Sequence, residues 1–184
     1  MNTKLKNMVM GALLIALAII IPIQFGFLKV IIGPFSATLV AHVPLFIAML
    51  ISPKIAAAVG GGSTIGFLMA GMPMPVVARA ATHIIVGYVG ALIVQKKKSF
   101  TMALAITAPL HGILEALVCI PFGFTAYEIL VVLLVGAILH HSVDSVISVV
   151  LAKSIAKVNN KEMYAFFSGN KEEDSNDLNK TVEI

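Results

Sequence analysis

What most limits the fold of this 184-residue chain is a succession of apolar stretches. Several approach or exceed the roughly 20 residues needed to cross a lipid bilayer. Only 12% of the residues are charged, 59% are hydrophobic and the mean hydropathy is +0.99. A soluble domain carries about 25% charged residues. These values exclude a water-soluble globular domain and predict an all-α integral membrane protein. Lipid is then the solvent, and close packing and internal polar groups hold the helices together. The net charge of +4 reads as topology rather than nucleic-acid binding, because the lysines cluster in loops and tails. The single Cys119 excludes an internal disulfide and a Cys-based metal cluster, and is expected to pack. With no Trp, anchoring at the membrane interface falls to Tyr88, Tyr127, Tyr164 and the lysines.

Hydropathy and punctuation predict six spans, at about 8–23, 35–51, 55–70, 77–94, 100–119 and 126–156. The first has a basic start and resembles a signal peptide, but it lacks a small-residue cleavage site, so it is expected to be retained. Its Ala12-x-x-x-Ala16 pair lets another backbone come close. Residues 24–34 are too apolar for an ordinary solvated loop and are expected to fold back over the helix ends. Gly60-Gly61-Gly62 is no phosphate loop, since no Gly-Lys-Ser/Thr follows. Residues 71–76 form a Pro-rich connection. The expected organisation is one transmembrane domain over 1–158 and a polar tail over 159–184, mobile beyond about Ser168. No internal repeat is evident. Six spans put both termini on one side, the side that collects Lys4, Lys6, Lys54, Lys96, Lys97, Lys98, Lys153, Lys157, Lys161, Lys171 and Lys180. The other side has only Lys29, plus Arg79 near a helix mouth. The positive-inside rule makes the first side cytoplasmic.

Arg79 and Glu115 lie inside apolar stretches, and each has a histidine one helical turn away, His83 and His111 respectively. A charge inside a bilayer costs from about 3 to more than 10 kcal/mol unless it faces protein or a wet cavity. Counting about 1.5 Å per residue gathers Arg79, His83, His111, Glu115, His42 and Glu128 in the outer half of the membrane. Two readings stand side by side. Arg79 and Glu115 form a structural ion pair, or they belong to a ligand pocket whose arginine grips a carboxylate and whose histidines meet an aromatic ring. Likewise His42 is a packed histidine or a ligand contact, and Glu128 is solvated at the interface or part of the pocket. His140, His141 and Asp144 fall in the inner half of the last span, where a structural or partner role is expected. No catalytic residue, cofactor or metal is expected. His-Glu-x-x-His is missing, which counts against a membrane metal hydrolase.

The chain resembles the substrate-binding S-component of energy-coupling factor (ECF) vitamin transporters over about residues 5–158. Six spans in under 200 residues, both ends inside, and Ala12/Ala16 on the first helix carry the likeness. The run Gly33-Pro-Phe-Ser-Ala-Thr-Leu-Val-Ala-His42-Val-Pro44, continuing to Pro53, is most similar to the niacin branch. The resemblance implies a multi-pass protein of the bacterial plasma membrane that takes up a small water-soluble vitamin from outside. It implies transfer of that vitamin to a transmembrane coupling subunit driven by two ATPase subunits, with Ala12 and Ala16 on the docking face. Chemistry then assigns Arg79 to the carboxylate, His83, His111 and Tyr88 to the ring, and Glu115 to orientation. Other cargoes, such as pantothenate or a pyridoxine-like vitamin, keep the same fold. A proton-coupled secondary transporter is a different alternative, disfavoured by the missing repeat.

Overall fold

The computed structural model describes residues 2–168. The tail expected to be mobile beyond Ser168 lies outside the described residues. The order of elements is α1 (Thr3–Gln24), β1 (Lys29–Ile32), β2 (Phe35–Thr38), α2 (Val43–Met49), α3 (Pro53–Met69), α4 (Met74–Ala81), α5 (His83–Lys97), α6 (Phe100–Cys119), α7 (Leu134–Val158) and α8 (Met163–Ser168). A π-helical stretch, Glu128–Leu133, leads into α7. Four segments are long and apolar enough to cross a membrane: Thr3–Gln24, Met74–Lys97, Phe100–Phe122 and Glu128–Val158. Large apolar side chains such as Leu13, Ile85, Leu117 and Val146 cover their outer faces, the pattern of a helix bundle in lipid.

The span expected at 35–51 is corrected. Its first four residues form β2, which pairs with β1 as an antiparallel hairpin in the register Lys29–Thr38 to Ile32–Phe35. Gly33 and Pro34 make the two-residue turn. Gly33 has φ +55°, a conformation that favours glycine at the first central position of such a turn. The helix that follows, α2, has only seven residues, all buried. The span expected at 77–94 is broken at Thr82 into α4 and α5, and the Thr82 hydroxyl donates to the Arg79 carbonyl at 2.7 Å.

Glycines set the packing around α3. Gly11 faces Ile55, Gly62 faces Ile15 and Gly66 faces Ile19, so α1 and α3 run parallel and close. On the other side, a Cβ on Gly60 would lie 2.6 Å from the backbone of His83 and Ile84. Only a residue without a side chain lets α3 approach α5 this closely. Beyond α7 the chain turns back: Phe167 of α8 is buried, and the Tyr164 hydroxyl accepts from the Phe100 N–H at 2.9 Å. Lys6 Nζ donates to the Phe166 carbonyl and sits over its ring. The start of α1, the start of α6 and the end of α7 therefore share one end of the bundle.

Candidate functional site

Irregular backbone at membrane depth is tolerated where it is buried in protein or lines a cavity. Two such irregularities meet in this bundle: the start of α2 at His42, and the break between α4 and α5 that separates Arg79 from His83. Facing them are His111 and Glu115 on α6 and His140, His141 and Asp144 on α7. His42, Arg79, His83, His111, Glu115, His141 and Asp144 are all buried.

Arg79 and Glu115 form a direct pair. Arg79 Nε and Nη2 both donate to Glu115 Oε2, at 3.0 and 2.8 Å. Nη2 also donates to the Ser36 carbonyl of the hairpin at 3.3 Å. The Phe35 ring centroid lies 5.0 Å from the guanidinium carbon, within cation–π range. Nη1 is buried and has no hydrogen-bond partner among the described residues. An unpaired guanidinium N–H in such a place is costly alone and available to an incoming acceptor.

A second network runs through Asp144. Its Oδ1 accepts from the Val40 N–H at 2.9 Å, and its Oδ2 accepts from the His42 N–H and Nδ1–H, both at 3.0 Å. Val40 sits at φ +66°, a strained conformation for a β-branched residue, of the kind that clusters at functional sites. Asp144 thus pins the link between hairpin and α2. His42 Nε2 lies 3.1 Å from His83 Nε2, and His83 Nδ1 lies 2.9 Å from Ser63 Oγ on α3. His111 Nδ1 is 3.2 Å from His141 Nδ1, and His140 Nε2 donates to the Thr38 carbonyl of the hairpin at 3.1 Å.

Ser36, Ala37, Thr38, His42, Arg79, His83, Glu115 and His140 border a cavity of about 20 Å³ beneath the hairpin. That is room for about one water. The hairpin acts as a cover, tied down through Ser36, Thr38 and Phe35, whose ring packs against Gly136 of α7.

Five of the expected pocket residues therefore come together: Arg79, His83, His111, Glu115 and His42. Two do not. Tyr88 is 46% exposed on the outside of α5. Glu128 is exposed and accepts from the N–H and hydroxyl of Thr125 at 2.7 and 2.8 Å, at the start of the π-helical stretch that leads into α7. The expected inner-half location of His140, His141 and Asp144 is also corrected, since the structure packs them against His42 and His111. Ser63 carries no signal in the sequence as a single serine, and Ser36 takes part only through its main-chain carbonyl. His140 and Asp144 did carry one, an i,i+4 pair on an apolar helix. Ala12 and Ala16 both lie exposed on the outer face of α1, opposite its buried Gly11, Leu14 and Ala18.

Comparison with curated proteins finds a niacin transporter, NiaX, of Lactococcus lactis subsp. cremoris strain MG1363. It is 34% identical over 173 aligned residues, which cover 85% of this chain and 77% of the relative. The chain belongs to the NiaX niacin-transporter family. No family model matches it, and no solved structure matches it with significance. Membership agrees with the resemblance to niacin-type S-components drawn from the sequence. It makes this member of the NiaX family a transport protein rather than an enzyme.

Proposed function

We propose that this protein is the membrane-embedded capture subunit of an ECF-type importer and that its cargo is niacin. Its chain passes through the bacterial plasma membrane six times, the second pass made by the hairpin and the short buried α2 rather than by a full span, with both termini cytoplasmic. The end of the bundle shared by the start of α1, α8 and the Lys96–Lys98 turn faces inward, where the lysines gather. The hairpin end faces out. Nicotinate enters beneath the lifted hairpin, and its carboxylate takes the free Arg79 Nη1–H. His83 and His111 offer ring nitrogens to the pyridine, and Glu115 keeps the guanidinium oriented. His42 completes the wall. After docking through Ala12 and Ala16, a coupling subunit and two ATPases drive release inward.

The observation that carries this reading is the buried Arg79 with a spare donor beside a small cavity beneath the hairpin, in a chain related to a niacin transporter. Calorimetry on purified protein tests it. Nicotinate is expected to bind, and neutral nicotinamide at least about tenfold more weakly, because one charge-assisted hydrogen bond contributes about 1.5–3 kcal/mol. Arg79→Lys keeps a charge beside Glu115 but loses the planar donor fork. It should weaken nicotinate roughly 10–100-fold. Wild-type affinity in that variant removes the carboxylate role, and preference for pantothenate or a pyridoxine-like vitamin replaces the cargo.

A further inference from the structure

Arg79 neutralises Glu115, but Asp144 has no such partner. Among the described residues its carboxylate meets two backbone N–H groups and the rings of His42 and His140. With the imidazoles neutral, the buried cluster carries one net negative charge. Buried charges are paired or face a metal ion.

The hydrogen bonds fix most of the tautomers. His42 Nδ1 carries its hydrogen toward Asp144, so Nε2 is a bare lone pair. His141 Nε2 lies 3.1 Å from the Leu104 carbonyl and 3.3 Å from the Thr107 hydroxyl; with its hydrogen on the carbonyl, its Nδ1 accepts from His111 Nδ1–H. His111 Nε2 is then bare as well. It is buried without a hydrogen-bond partner among the described residues and stands 3.3 Å from another acceptor, Glu115 Oε1. A relay from Ser63 through His83 and His42 to Asp144 explains three of these contacts without any ion. It leaves the lone pair of His111 facing a carboxylate.

The rings of His42, His83 and His111 form a near-equilateral triangle. Centroids are 4.7, 4.8 and 5.0 Å apart, and each pair meets edge-on. One ligating atom from each residue lies within 4.8 Å of the others. Three imidazoles on one tetrahedral ion, with metal–nitrogen bonds of about 2.0–2.1 Å, would place nitrogens about 3.3 Å apart and centroids roughly 5 Å apart. The remaining nitrogens are backed by Asp144, Ser63 and His141, the outer-shell pattern that orients metal-bound histidines.

We propose that His42, His83 and His111 bind a divalent transition-metal ion, with zinc favoured by the all-nitrogen donor set. His83 then turns its Nδ1–H to Ser63 and its Nε2 to the ion. The fourth position opens toward Glu115 and Arg79. The added charge reverses the sign of the buried cluster on the side where an anion is proposed to sit. The site does not depend on the identity of the cargo.

The test uses the full chain in detergent, stripped with a chelator and titrated with Zn²⁺ alone. One ion per chain is expected, and His83→Gln and His111→Gln should each weaken it at least about 100-fold. Asp144→Asn, which keeps the proposed ligands and changes the group behind His42, should cost about 10–100-fold. Co²⁺ substituted into the wild-type protein should show the visible spectrum of a four-coordinate ion, a readout independent of whether variants fold. Absence of stoichiometric Zn²⁺ binding, an octahedral Co²⁺ spectrum, or unchanged affinity in both glutamine variants overturns the site. Nicotinate binding by the stripped protein is scored separately, so loss of the metal site leaves the Arg79 result standing.

Discussion

Asp144 holds the strained Val40, the backbone of His42 and the ring of His42 at once. Asp144→Ala leaves three buried N–H groups without acceptors, and breaking a buried charged network of this kind costs about 3–5 kcal/mol. The variant should therefore show a markedly lower thermal transition in detergent. A transition within 1–2 °C of wild type would mean that the network contributes little. Arg79 and Glu115 were legible in the sequence because charge inside an apolar stretch is expensive and rare. Asp144 was visible too, but counting rise along straight helices put it in a different layer from His111. His111 is counted from the inner end of α6 and His140 from the outer end of the segment Glu128–Val158, yet the two levels meet: His111 lies 3.2 Å from His141, and Gly112 packs on Leu134 and Ile138. Depth arithmetic misplaces a residue when the helix ends it counts from are not level with each other.

Elements that obey hydropathy alone were readable from the residues. Phe100–Cys119 has the expected bounds, because Ser99 caps its start and Pro121 lies just past its end. The run at 35–51 was not readable, because apolar content does not separate a strand from a helix at this length. Gly33-Pro34 is the turn signal, but the same pair also punctuates an ordinary loop. The break at Thr82 left no sequence mark either, since no glycine or proline sits there. Gly60 shows why α3 and α5 hold His83 so firmly: their backbones touch where a side chain would stand. Gly60→Leu should push these helices apart, destabilise the bundle by about 1–3 kcal/mol and weaken nicotinate binding along with it. Unchanged affinity and stability would show that the close approach is not needed to position His83.

At the scale of the whole molecule, the polar cluster proposed to bind cargo is buried, while the face of α1 proposed to dock the coupling subunit is exposed. Ala12 and Ala16 point away from the bundle, while Gly11, Leu14 and Ala18 pack inward. Ala12→Trp is expected to leave nicotinate affinity within about twofold and to abolish uptake in vesicles that contain the coupling subunit and ATPases. A bulky ring blocks close approach of a partner helix without touching the cluster. Normal uptake by this variant would move the docking face elsewhere. The 20 Å³ cavity has a kinetic consequence of its own. On the proposed reading, a void this small has no room for nicotinate, so apparent affinity equals the intrinsic one scaled by the fraction of molecules with the hairpin flap raised. Any partner that favours the raised flap strengthens capture, and any that favours the lowered one traps whatever is already inside.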